Sequence, residues 1–305
     1  MKCSVVIPVY NSEASIDQVV EEVLAEVSYE VEIVLVNDCS KDESEKKCKA
    51  LCEKFNQVKF LNLSKNFGQH NAIMAGLSVV DGDLIVCMDD DLQTPPQEVN
   101  KLIDTLIEQD YDVVYGNYGE KKHSVFRNWG SSLNDKMANY MLGKPKEIQI
   151  TSFFAMRRYI AEEIKNYRYS FPYLGGLIFR TTNKIGKVDV HHESRKEGTS
   201  NYNFKKLIGL WFNGFINFSV TPLRLTSLIG TVFSGAGFLY LIVIIIKKLM
   251  DPGIAMGWTS IMATVIFFGG IQLISIGLIG EYIGRLYLNI NEKPQYVIRE
   301  TYNID

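Results

Sequence analysis

From Cys3 to Tyr115 the chain alternates short, continuously apolar runs with segments whose apolar residues recur at helical spacing. The runs predict strands at Cys3–Val9, Val31–Asn37, Val58–Leu63, Leu84–Met88 and Asp112–Tyr115. The segments between them predict helices at Ser12–Val27, Glu43–Phe55, Gln69–Val80 and Pro95–Glu108. Thr94 offers the last helix an N-cap, Pro95 its first position and Gln97 a capping-box partner. Apolar strands joined by helical crossovers predict an α/β fold with a mostly parallel, Rossmann-like sheet covered on both faces. Reactive groups of such sheets gather beyond the C-terminal strand ends, so the segments after Val9, Asn37 and Met88 are expected to converge. Residues 116–200 are mixed and harder to read, with a helix start expected at Arg157-Arg158 and a strand around His191-His192-Glu193.

The last third of the chain follows a different pattern. Asn203–Ser219 begins with Lys205 and Lys206 and continues through an apolar, aromatic body, which suits a helix lying in a membrane interface. A buried core helix is the plainer alternative. Leu225–Ile246 and Gly253–Gly280 carry no charged residue, and each exceeds the ~20 residues that a hydrocarbon core requires. Separated only by Lys247–Pro252, they predict a transmembrane hairpin. The expected division is a catalytic domain over 1–202, an interfacial segment over 203–222, a hairpin over 223–285 (spans near 225–246 and 256–280) and a tail over 286–305. Arg224, Lys205 and Lys206 before the hairpin and Arg285 and Lys293 after it place both sides in the cytoplasm by the positive-inside rule. Lys247 and Lys248 argue weakly the other way. Gly280 and Gly284 form a small-xxx-small pair through which membrane helices, and so a homo-oligomer, could pack.

Overall composition adds less. The 305 residues are 47% hydrophobic and 22% charged with a net charge of -3, which gives no electrostatic case for nucleic-acid binding. Five cysteines, all within the first 87 residues, lack zinc-finger spacing and read as reduced thiols of a cytosolic domain. Met1 and Lys2 lead straight into an apolar segment broken by Pro8, which is not a signal-peptide pattern. The expected location is the plasma (inner) membrane, multi-pass, with the catalytic domain cytoplasmic.

Candidate chemistry concentrates at Asp89-Asp90-Asp91-Leu92-Gln93, directly after a predicted strand. Adjacent carboxylates repel, and hard cations such as Mg²⁺ or Mn²⁺ compensate them while bridging to substrate phosphates. In an extended segment Asp89, Asp91 and Gln93 would share one face. A solvated acidic turn is the alternative for this segment alone. The loops after Val9 and Asn37 add Tyr10, with an aromatic face, and Asp38, an acceptor for a base or ribose.

Taken together, VIPVYNSE at Val6–Glu13, VNDCS at Val36–Ser40, LSKNFGQHNA at Leu63–Ala72 and MDDDLQ at Met88–Gln93 resemble inverting glycosyltransferases with a GT-A fold. RKEGTSNY at Arg195–Tyr202, FSVTPLR at Phe218–Arg224 and EYIGRLY at Glu281–Tyr287 narrow the resemblance to polyisoprenyl-phosphate glycosyltransferases, relatives of dolichol-phosphate mannose synthase with two C-terminal membrane helices. The resemblance covers nearly the whole chain. It implies nucleotide contacts from Pro8, Tyr10, Glu13, Asp38, Gln69 and Asp89, and ligation of Mg²⁺ or Mn²⁺ by Asp89, Asp91 and Gln93. Asp90, in a slot often filled by a small residue, joins the nucleotide set with its role open. Arg195, Ser200 and Lys205 would handle phosphates. The implied partners are a nucleotide-sugar donor, a polyprenyl-phosphate acceptor and the bilayer, and the implied reaction is hexosyl transfer with inversion.

One departure stands out. Relatives commonly carry an acidic residue before the Phe of a GDFR segment, where this chain has Thr151-Ser152-Phe153-Phe154. A phosphate acceptor, whose second pKa is near ~6, is already largely a dianion at neutral pH and needs little help from a base. The harder task is electrostatic: two unit charges about 4 Å apart at an effective dielectric of about 20 repel by about 4 kcal/mol. Arg127, Arg195, Lys205 and Lys206, with Lys121 or Lys122 behind them, are the expected counter-charges. Two rival readings are a polysaccharide or glycolipid synthase of the same fold and a non-catalytic scaffold. The first lacks its QxxRW motif, and the second leaves the Asp89/Asp91/Gln93 set unexplained.

Overall fold

The computed structural model describes residues 1–118, 147–170, 172–191, 221–250, 257–290 and 294–304. The chain divides into two compact units, Met1–Leu207 with Glu292–Asp305, and Ile208–Asn291.

The first unit is built on the predicted alternation: β1 (Lys2–Val9), α1 (Ile16–Glu26), β2 (Glu30–Asn37), α2 (Ser44–Lys54), β3 (Val58–Leu63), α3 (Gln69–Leu77), β4 (Leu84–Cys87), α4 (Glu98–Glu108) and β5 (Val113–Asn117). Then follow β6 (Phe154–Arg157), α5 (Arg158–Lys165), α6 (Leu174–Thr181) and β7 (Ile185–Asp189). β8 (Ile298–Tyr302) comes from the end of the chain. The eight described strands form one sheet in the order β7-β5-β6-β4-β1-β2-β3-β8. Pairing is parallel along β4-β1-β2-β3 and between β5 and β7, and antiparallel where β6 meets β4 and β5 and where β8 meets β3. This is a mixed sheet, with β8 formed by the stretch expected as a bare tail.

Side chains alternate along each strand, so both sheet faces are apolar and each is covered. One face packs Val5, Ile7, Ile33 and Leu35 beneath Val19 and Val23 of α1, Leu51 of α2 and Leu102 of α4. The other packs Val6, Val34, Val36 and Ile85 beneath Ile73 of α3, Ile160 of α5 and Leu177 of α6. Each fully buried side chain of this size contributes roughly 1.5–3 kcal/mol, which makes the strand runs the main determinant of the fold. α3 approaches the sheet closely at Gly76. A Cβ on its Gly76 would sit 2.5 Å from Val6 Cγ1.

Two helix starts and one helix end differ from expectation for identifiable reasons. α1 begins at Ile16 rather than Ser12, because Ser12 and Ser15 direct their hydroxyls to Asp90 instead of capping the helix. α4 begins at Glu98 rather than Pro95, since Pro95–Gln97 forms turns closed by Glu98 N–H to Pro95 O and Val99 N–H to Pro96 O. α3 stops at Leu77, where the Ser78 hydroxyl turns back onto the Ala75 carbonyl.

At the N-terminal strand ends, opposite the expected site, the sheet buries one carboxylate. Glu32 accepts from Ser4 Oγ (2.5 Å) and Asp81 N–H (2.6 Å) and pairs with Lys2 (2.7 Å) and Lys59 (3.3 Å). Burial opposes its ionisation, but these partners prevail and hold its carboxyl at about 2.

The second unit contains α7 (Thr221–Met250) and α8 (Trp258–Ile290). They meet through Phe233, whose ring lies 5.9 Å from Phe267 and 6.2 Å from Phe268. Phe267–Gly284 of α8 is long and apolar enough to cross a membrane, with mean hydropathy 1.4 and none of it buried. The apolar part of α7 over described residues, Thr226–Tyr240, is shorter.

Candidate active site

The loops that follow β1, β2, β3 and β4 meet at the C-terminal side of the sheet, as its parallel centre requires. β1 and β2 end in register, Val9 opposite Asn37, and the Asp38 N–H continues the ladder to Val9 O at 2.9 Å. The loops after them are then stitched together. Asn11, at φ 55, donates its N–H to Ser40 Oγ (3.0 Å) and accepts Lys41 N–H (2.8 Å). Glu13 donates its N–H to Asp42 (3.1 Å) and accepts Glu43 N–H at its carboxylate (2.9 Å). Pro8 lies in the ladder opposite Val36, while Tyr10 is exposed beside it.

Asp38 is buried and has a specific task. Its two carboxylate oxygens accept the N–H groups of Phe67 and Gly68, each at 2.7 Å, and Asn66 donates to its carbonyl at 3.2 Å. Burial raises its pKa, with the two amides working against that rise. Gly68 turns the loop into α3 at φ 90, a left-handed geometry suited to glycine. The next residue, Gln69, donates its side-chain amide to Asp89 Oδ1 at 2.8 Å. Ser152, just before β6, donates its hydroxyl to Asp89 Oδ2. Tyr118 stands against Ser152 and Thr94, and burial beside the Asp89 charge raises its pKa.

The aspartate segment is not extended, which corrects the alternation expected for it. It bends from Asp90 to Thr94, with Leu92 at φ 58, and Gln93 N–H closes back onto Asp91 Oδ1 at 3.2 Å. A shared face for Asp89, Asp91 and Gln93 therefore does not follow from strand geometry. Asp90 accepts Tyr10 N–H (3.2 Å) and the Ser12 hydroxyl, while its carbonyl accepts Ser15 Oγ (2.6 Å). Asp90 thus ties the β1–α1 loop to the aspartate loop. Burial pushes its carboxyl up to about 6, against the pull of Ser12 and Tyr10 and with a smaller push from Asp89 and Asp91.

The structure therefore places Tyr10, Glu13, Asp38, Asp89, Asp90, Asp91 and Gln93 in adjoining loops, with Pro8 near the end of β1 and Gln69 at the start of α3 beside them. Arg127, Arg195, Ser200 and Lys205 lie outside the described residues, as do Lys121, Lys122 and Lys206. Among the described residues no three His, Cys, Asp or Glu side chains converge as a metal cage. Sequence reasoning missed Ser12, Ser15, Tyr118 and the contact of Ser152 with Asp89. Hydroxyl residues near an acidic loop are too common to be singled out without coordinates.

The model of glycosyl transferase family 2 matches residues 4–165 and that of the GtrB C-terminal hairpin residues 221–286. The chain belongs to glycosyl transferase family 2. Among curated members, the undecaprenyl-phosphate 4-deoxy-4-formamido-L-arabinose transferase of Photorhabdus laumondii is 36% identical, covering 98% of this chain and 94% of its own length. The uncharacterized glycosyltransferase YkcC of Bacillus subtilis is 32% identical over 99% of this chain and 94% of its own. Among solved structures, glucosyl-3-phosphoglycerate synthase of Mycobacterium tuberculosis, with Mn²⁺, UDP-glucose and phosphoglyceric acid, superposes with a TM-score of 0.53 at 17% identity, covering 69% of this chain and 76% of that one. The fold is thus the GT-A fold that the motifs of this glycosyltransferase implied, followed by the hairpin.

Proposed function

We propose that this family 2 glycosyltransferase moves a sugar from a nucleotide donor to a polyprenyl phosphate at a membrane surface, inverting the anomeric centre and releasing the nucleoside diphosphate. The donor is a UDP-hexose such as UDP-glucose, and the acceptor an undecaprenyl-type phosphate. One observation carries the reading: a GT-A sheet with acidic loops at its C-terminal strand ends is joined in one chain to a hairpin whose α8 has an apolar, unburied Phe267–Gly284 window. Relatives matched over 98–99% of this chain are named for undecaprenyl-phosphate transfer, and a protein of similar fold holds UDP-glucose with Mn²⁺. The hairpin spans the plasma membrane and leaves the catalytic unit in the cytoplasm. Its advantage is physical, since the acceptor phosphate cannot leave the bilayer surface.

Asp89 and Asp91, with Gln93, would hold Mg²⁺ or Mn²⁺. A donor set of two carboxylates and an amide, with no preformed cage, fits cations that retain water and take ligands from substrate phosphates. When bound, the ion supplies positive charge against the donor diphosphate. Gln69 and Ser152 orient Asp89, and Asp38 fixes the loop that carries Gln69. Ser152 stands where the family resemblance leads one to expect a carboxylate, and in this reading the acceptor dianion attacks without a protein base. Arg127, Arg195 and Lys205, with Ser200, offset repulsion between the two phosphorylated substrates. Asp91→Asn is expected to reduce turnover at least ~100-fold with an unchanged unfolding midpoint. Near-normal turnover in that variant would remove the metal assignment.

A further inference from the structure

The donor-site loops leave out the segment that follows α8. Pro294–Ile304 is part of the sheet unit and is fixed there at several points. The buried Gln295 donates its amide to the carbonyls of Tyr167 (3.3 Å) and Tyr169 (3.0 Å). The Val297 carbonyl accepts Ser64 N–H at 2.9 Å. β8 then pairs with β3, placing Tyr302 opposite Phe60, while Glu300 meets Lys49 at 2.7 Å. Asn303, at φ 55, donates to the carbonyls of Cys52 (2.9 Å) and Val58 (2.8 Å). The register shifts once: Asn62 faces Glu300 but Leu63 faces Ile298, so Arg299 is the extra residue of a bulge. That shift falls just before the Val297–Ser64 bond.

Ser64 opens the β3–α3 loop. Three and four residues on, Phe67 and Gly68 hold Asp38, and Gln69 holds Asp89. One short run of backbone therefore carries the tail's hydrogen bond at its first residue and contacts to both acidic positions at its last three. We propose that the C-terminal strand is a positioning element of the donor site: β8 and Val297 fix Ser64 and, through Ser64–Gln69, the placement of Asp38 and Asp89. The effect on nucleotide binding rests on the donor-site reading above, whereas the effect on loop order does not. Segments with few anchoring contacts open locally and exchange their amides early, so removing an edge strand should loosen the loop first. A net backbone hydrogen bond corresponds to about a twofold to tenfold change in such an equilibrium.

The test compares the full chain with a chain ending at Lys293, both in detergent micelles, by hydrogen–deuterium exchange and by calorimetric binding of UDP with Mn²⁺. Exchange over 64–69 should rise about tenfold and UDP affinity fall about threefold to tenfold, while amides of β1, β2 and β4 keep their protection. A synthetic peptide of residues 294–305, added in trans, should restore both by re-forming the strand. Asn303→Ala, which detaches only the far end of the segment, should give a smaller rise over the same loop. Unchanged exchange over 64–69, loss of protection across the whole sheet, or no restoration by the peptide would each overturn the proposal. A full chain that binds no UDP, yet shows the expected exchange changes, would overturn the donor reading and leave the positioning role standing.

Discussion

Asp38→Asn isolates the bond between the β2 and β3 loops with almost no change in volume. Aspartate offers an oxygen to each of two loop amides at 2.7 Å and is only 3% exposed. Asparagine retains one acceptor and turns an NH₂ group toward the other amide. A hydrogen bond to a charged group contributes about 1.5–3 kcal/mol, and a buried N–H left without an acceptor costs about 1–3 kcal/mol. Burial holds the Asp38 carboxyl above its usual range, so the neutral side chain recovers part of this loss. The net expectation is a destabilisation of about 2–3 kcal/mol, or a fall of roughly 4–12 °C in unfolding midpoint for a domain of this size. Thermal unfolding of the detergent-solubilised full chain measures it. Because Gln69 follows the held amides directly, the fall should come with weaker nucleotide binding. A midpoint within about 2 °C of wild type would refute the reasoning, because it would mean that the loop does not depend on the Asp38 charge.

Glu32 makes the sheet acid-sensitive. Its folded pKa of about 2 lies below the ordinary 4.5, so its stabilisation is complete above the ordinary value and is lost as pH falls through 2. The gap amounts to about 3 kcal/mol, and Glu32→Gln should flatten the midpoint-versus-pH curve between pH 4.5 and 2 while lowering it at neutral pH. Ser152→Ala removes one hydrogen bond to Asp89 and should raise the Mn²⁺ concentration for half-maximal rate about threefold to tenfold with kcat largely kept. Ser152→Asp places a second carboxylate against Asp89 and should weaken metal and donor binding further. Faster transfer by that variant would show that the reaction does need a base at this position.

Much of this structure was legible in the residues. β1 to β5 lie within one or two residues of the apolar runs, because a strand buried on both faces must be continuously apolar. The convergence of Asp38 with Asp89 follows from parallel topology alone. What escaped was set by long-range contact. β8 is five residues long with polar Arg299, Glu300 and Thr301 at its centre, and its partner β3 lies more than two hundred residues earlier. No local period marks such a pairing. The proline-rich start of α4 misled because Thr94-Pro95-Pro96-Gln97 satisfies the capping pattern yet closes into turns. Likewise, the alternation assumed for Asp89–Gln93 gives way to bends over Asp90–Thr94, with Leu92 at positive φ.

The most direct measurement incubates the full chain in nanodiscs with undecaprenyl phosphate and a panel of nucleotide sugars, then reads the lipid fraction by mass spectrometry. The account predicts a single new glycosyl monophosphate lipid, formed from a UDP-sugar only when Mg²⁺ or Mn²⁺ is present and abolished by chelator. Transfer to water or a soluble acceptor with the lipid left unmodified, or lipid glycosylation undiminished by chelation, would contradict it.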